Sequence, residues 1–183
     1  VASLAVRAEK LKREKVDLVI DLHEASPEYP VINAIVAHER AMPLAVAVVM
    51  NLELRGMKIA LEPSPKNLHG LSHRELGDHT PALAVLMETA NPAQGRLRGK
   101  TTEALIVSGR DDMYVKAGKA GRLFVEYDEK GHPLERERVV RHLAGIEELL
   151  KAFQEANPAK PVELKDFPVP EEIASGGLGP YLK

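Results

Sequence analysis

The chain contains no cysteine, which removes disulfides, a thiolate nucleophile and Cys-ligated zinc together. Any metal must be held by His, Asp or Glu, and any hydrolysis must use an activated water or a Ser/Thr hydroxyl. Neither sign of charge dominates: 25 Lys and Arg stand against 27 Asp and Glu, a formal net charge of −2. Nothing electrostatic therefore points to nucleic acid or an anionic membrane as a partner. No apolar run approaches the roughly 20 residues of a bilayer-spanning helix; the segment from Pro43 to Leu52 is too short and leads into Glu53 and Arg55. Gly-x-Gly-x-x-Gly and Gly-x-x-x-x-Gly-Lys-Ser/Thr loops are absent, and so is Gly-x-Ser-x-Gly. A nucleotide site and a serine hydrolase thus lack their signatures. The first residue is Val1, and no basic stretch with an apolar core follows it as in a signal peptide. The expectation is a chain that begins partway into a longer polypeptide, with the cytoplasm as its default location.

What is present is length and pattern enough for one domain with a real core: 183 residues. Apolar residues at Leu4, Ala5, Ala8 and Leu11 predict a helix over Val1–Glu14, feeding a strand at Asp17–Leu22. Pro27 and Pro30 then exclude helix. A buried strand is expected at Val31–Ala37, a helix at Leu44–Arg55 capped by Gly56, and a short strand at Lys58–Glu62. Pro63–Thr80 reads as a loop with one short helix after Ser72. A strong core strand follows at Pro81–Thr89, then a helix around Thr101–Val107 and a strand at Ala120–Tyr127. Arg138–Ala156 shows the clearest helical periodicity. Helices alternating with apolar strands predict an α/β domain over residues 1–157, a mixed, largely parallel sheet with helices on both faces. Residues 158–183 read as an extended Pro/Gly-rich tail.

Chemistry concentrates at two strand ends. Val16-Asp17-Leu18-Val19-Ile20-Asp21-Leu22-His23-Glu24 delivers an imidazole to the carboxyl end of a strand, where ligands bind in open α/β sheets. Carboxylates at Asp21 and Glu24 could orient His23 and set its tautomer, leaving a neutral nitrogen for a metal. Glu88 ends the strand Ala82–Met87. In one parallel-type sheet both groups would emerge at the same edge. A histidine ligand beside a free glutamate is the minimum for metal-assisted hydrolysis, with the glutamate carrying the water's proton to the leaving amine.

Asp21-Leu22-His23-Glu24-Ala25, with the helix and apolar strand before it, resembles the zinc carboxypeptidase superfamily, most closely its succinylglutamate desuccinylase/aspartoacylase-like branch. The resemblance implies a Zn2+ ligand at His23 and the general-base glutamate at Glu88 in Met87-Glu88-Thr89-Ala90-Asn91-Pro92. It implies a zinc-dependent hydrolase of amide bonds, a deacylase or carboxypeptidase, acting on a small acylated amino acid or a peptide. The family takes its first two zinc ligands from a His-x-x-Glu upstream of Asp-Leu-His, and a substrate-binding Asn-Arg also lies upstream. Neither motif precedes Asp21. The chain thus looks N-terminally incomplete, its site to be completed by an N-terminal fragment of the same polypeptide or by a second copy.

Other residues offer alternatives. His69, His73 and His79 share one segment with Glu75 and Asp78, and His69 and His73 have the i, i+4 spacing of a helical metal pair, although Gly70 argues against a firm helix there. Arg74 could grip a substrate carboxylate with its fork or simply form a surface ion pair. Tyr29 and Tyr114 are the phenols placed to hydrogen-bond a transition state. His38 could support His23, while His132 and His142 read as structural. Two rival functions remain: a non-catalytic binding or regulatory α/β domain that has lost the metal site, and a metal-independent module whose histidine segment binds an anion.

Overall fold

The computed structural model describes residues 2–26, 29, 31–91, 102, 104, 112–122 and 134–181. The helix expected around 101–107 and the strand expected over 120–127 fall largely outside them. In chain order the elements are α1 (Ala2–Arg13), β1 (Leu18–Ala25), β2 (Ala34–Ala37), α2 (Met42–Leu54), β3 (Ala60–Pro63), α3 (Ser72–His79), β4 (Leu83–Ala90), α4 (Asp112–Lys119), α5 (Val140–Ala156) and α6 (Pro170–Gly176). The fold is α/β, as the sequence pattern predicts.

The strands form one sheet in the order β1-β4-β2-β3. β1 runs parallel to β4 and β2 parallel to β3, while β2 meets β4 antiparallel. Because side chains alternate along a strand, each face has its own cover. Ile35, Ala37, Val85 and Met87 lie with Val48 and Leu52 of α2 and Ala144, Leu149 and Phe153 of α5 in one apolar cluster. Each of the larger of these side chains stabilises the fold by about 1.5–3 kcal/mol through burial. On the opposite face, α3 packs on β1 and β4, and α1 packs on α3. Asp21, His23, Ala84, Leu86 and Glu88 belong to this second face.

The element ends have local causes. α2 stops in a Schellman turn: the Gly56 N–H bonds the Glu53 carbonyl and the Met57 N–H the Leu52 carbonyl, with Gly56 at φ 77°. β2 starts three residues later than Val31 because Asn33 sits at φ 46°. From that turn its side-chain oxygen accepts the Ala90 N–H at 3.2 Å. The tail departs from a purely extended run. After Pro158 it carries no helix or strand until Pro170, where proline at the first turn starts α6, and Gly177 at φ 78° ends it. Ile173 is buried, and α6 packs on α5. Among the described residues no helix is long and apolar enough to cross a membrane.

Two glycines mark close approaches. A Cβ on Gly145 of α5 would lie 2.0 Å from the Cε of Met87, and one on Gly77 of α3 would lie 2.3 Å from the ring of His38. Met87 can swing its terminal methyl, but His38 is buried and held at both ring nitrogens. Gly77→Ala is therefore expected to cost about 1–3 kcal/mol in chemical denaturation, and Gly145→Ala distinctly less despite its shorter contact. The reverse ranking would show that α3 is free to lift from the sheet.

Candidate functional site

The parallel register of β1 and β4 sets His23 directly beside Glu88. His23 Nδ1 lies 3.7 Å from Glu88 Oε1, and its Nε2 lies 3.2 Å from Asp21 Oδ2. With the proton on Nε2, the nitrogen nearest Asp21, the Nδ1 lone pair is left on the Glu88 side. His23 is 43% exposed and Glu88 15%, so the imidazole meets solvent while the carboxyl is largely withdrawn from it. Glu88 Oε2 is buried without a hydrogen-bond partner. Burial is the largest influence on this carboxyl and raises its pKa above the ordinary value, against the opposing pull of His23.

Asp21 and Glu24 divide as strand alternation requires. Asp21 shares the face of His23 and also accepts a hydrogen bond from the Ser72 hydroxyl. Glu24 sits one residue on, directed away from His23. There it accepts from Asn91 Nδ2 at 2.7 Å and lies 3.6 Å from Arg138 Nη1. Of the two carboxylates expected to orient His23, Asp21 is the one that lies beside its ring, 3.2 Å from Nε2. Glu24 instead ties the end of β1 to Asn91, just past β4, and to Arg138. Arg138 is buried in a π-helical turn over Leu134–Val139 that leads into α5. Sequence pattern missed it because that turn lies far along the chain and no motif marks it.

α3 carries the histidine segment, and it separates the residues that spacing had grouped. His69 precedes the helix and is exposed, whereas His73 is only 1% exposed, so the i, i+4 pair does not form. Neither ring nitrogen of His73 has a hydrogen-bond partner. Burial holds it neutral, its pKa lowered to about 4. Arg74 is buried rather than exposed, and its fork is already occupied. It donates to Glu39 Oε2 at 2.8 Å and, through Nε, to Asp78 Oδ2 at 2.9 Å, with a further bond to Asp78 Oδ1. It is therefore not available for a substrate carboxylate.

His38 completes this second group, its Nε2 lying 3.1 Å from Asp78 Oδ1 and 3.2 Å from Glu39 Oε2. The His38 N–H bonds the Ala84 carbonyl, which places it level with Ala84. That is about 13 Å along β4 from Glu88, so His38 does not support His23. Among the described residues, His38, Glu39 and Asp78 are the three metal-type side chains whose ligand atoms lie within 4.8 Å of one another. The guanidinium of Arg74 already holds the two carboxylates, and a cation there would have to displace it or sit beside it. The cluster acts as an ion-pair lock.

Tyr29 is exposed in the loop after β1. The side chain of Tyr114 and all of His132 lie outside the described residues. His142 is buried on α5 against the backbone of His23 and Met87, where burial lowers its pKa. A His-x-x-Glu spacing does occur once, His132-Pro133-Leu134-Glu135, but after Asp-Leu-His rather than before it. No family model matches this chain, and no curated protein or solved structure does either. The resemblance to zinc carboxypeptidases therefore rests on the residues themselves.

Hydrogen bonds from Arg74 are the largest cause holding Glu39 and Asp78 down at about 2. Carboxyls lowered in the folded state stabilise it above their ordinary pKa near 4, and that stability is lost as the pH falls towards 2. Arg74→Met is expected to lower the melting temperature at pH 7 and to flatten the loss of stability between about pH 4 and 2. An unchanged acid slope in a pH series of thermal melts would contradict the lock.

Proposed function

We propose that the chain carries the His–Glu part of a zinc-dependent amide hydrolase, acting as a deacylase or carboxypeptidase on a small acylated amino acid or peptide. The observation that supports this most is the pairing of His23 with Glu88, in register on adjacent parallel strands, with Asp21 on the far nitrogen of the imidazole. The donor chemistry fits zinc: a neutral imidazole with its outer nitrogen free is a preferred ligand, and His23 would hold the ion. Zinc, when bound, lowers the pKa of its water to about 7 and polarises the scissile carbonyl.

The remaining work falls to this chain's own groups. Glu88 accepts a proton from water at Oε1 or Oε2 and returns it to the leaving amine. Its raised pKa suits that exchange, since a carboxyl that binds protons more readily is a better shuttle near neutral pH. Asp21 holds His23 in one tautomer. A cysteine-free chain needs no oxidising compartment, and the cytoplasm is the proposed location.

The second reading is a non-catalytic binding or regulatory domain. One fact favours it: the described residues bring no three-ligand cluster together at His23.

The two readings separate in the protein expressed from its full gene. His23→Ala is expected to abolish stoichiometric zinc in elemental analysis. Glu88→Gln is expected to keep zinc while hydrolysis falls about 10²–10⁴-fold. Because burial disfavours charged Glu88, the same Glu88→Gln change is expected to raise the melting temperature at pH 7. Unchanged hydrolysis in both variants would leave the binding domain as the function, and a drop in stability would make Glu88 a structural ion-pair partner.

A further inference from the structure

α3 begins with a pattern that ordinarily closes on itself. Ser72-His73-Arg74-Glu75 has the Ser-x-x-Glu spacing of a capping box, in which the hydroxyl satisfies a free backbone N–H of the first turn. That box does not form, because the helix is capped at Leu71 and Ser72 is its first residue. Glu75 Oε1 reaches back to the Gly70 N–H at 2.8 Å, but the cap position at Leu71 receives no side-chain bond. The Ser72 hydroxyl is turned to Asp21 Oδ2 instead. That oxygen is the one 3.2 Å from His23 Nε2.

The position of Ser72 is fixed by contacts along its helix. Arg74, Asp78, His38 and Glu39 form the ion-pair lock, and Arg40 donates to the carbonyls of Gly77, Thr80 and Ala82. With Gly77 against the His38 ring, α3 has little freedom to slide. Next to Ser72, the buried His73 makes no hydrogen bond of its own and does not compete for Asp21.

We propose that Ser72 is a positioning residue: its hydroxyl orients Asp21 so that the carboxylate takes the Nε2 proton of His23 and leaves Nδ1 facing Glu88. The line of contacts runs Ser72 Oγ–H to Asp21 Oδ2, His23 Nε2–H to the same oxygen, and His23 Nδ1 towards Glu88 Oε1. Removing the hydroxyl frees the Asp21 side chain to rotate and lets the imidazole exchange tautomers. This inference rests on the proposed role of His23, but it concerns the state of the imidazole before any metal or substrate binds.

The test is the tautomer of His23 read by ¹⁵N NMR of the imidazole, in the wild-type chain and in Ser72→Ala, Ser72→Thr and Asp21→Asn. The wild type is expected to show a predominant Nε2–H form. Ser72→Ala is expected to give a mixture, Asp21→Asn a larger change, and Ser72→Thr the wild-type pattern. Affinity for zinc ion, measured on the same proteins, is expected to fall about 10–100-fold in Ser72→Ala and to recover in Ser72→Thr. A wild-type His23 in the Nδ1–H form would overturn the proposal. So would a Ser72→Ala protein with an unaltered tautomer beside an altered Asp21→Asn. Absence of zinc binding throughout would defeat the hydrolase reading alone, because the tautomer result stands without it.

Discussion

The parallel pairing of β1 with β4 is the constraint on which the rest depends. Two strands from distant parts of the sequence align residue for residue from Leu18 with Leu83 to Ala25 with Ala90. A slip of one residue would turn His23 and Glu88 to opposite faces. The alternation that buries Val85 and Met87 under α2 and α5 therefore also fixes which face carries the imidazole and the carboxyl. Core packing and site geometry are one constraint here, expressed on two sides of the same sheet.

α3 links the two polar groups on the second face. Its eight residues span about 12 Å, close to the offset between Glu88 and the level of His38. Its last turn is held at Asp78 by His38 and by buried Arg74, and its first residue, Ser72, donates to Asp21. The cluster with the residue types of a metal site is crossed by the Arg74 guanidinium, and the His23–Glu88 pair is less crowded.

The sequence makes some of this legible and hides the rest for physical reasons. The strands that carry His23 and Glu88 are runs of aliphatic and β-branched residues, which a sheet accommodates, so their existence follows from pattern, although β1 continues past the expected end at Leu22 to Ala25. α3 does not announce itself: it is polar, follows Gly70 and contains Gly77. Tertiary ion pairs hold it, and spacing cannot reveal those. The same blindness grouped His69 with His73, although one side chain is exposed and the other buried. It offered Arg74 to a substrate when its charge is already matched. Arg138 reaches Glu24 at the end of β1 from a π-helical turn beyond the reach of any local motif. α6 is too short for periodicity, and only Pro170 and Gly177 mark its ends.

The most direct measurement of the central claim is zinc-edge anomalous diffraction from crystals of the zinc-treated protein. It distinguishes the strand-end pair from the ion-pair lock in one map. The expected result is a peak about 2.0–2.1 Å from His23 Nδ1, with Glu88 beside it and no peak at His38. A peak bound by His38, Glu39 and Asp78, with none at His23, would contradict the assignment of His23 and Glu88 as the working site.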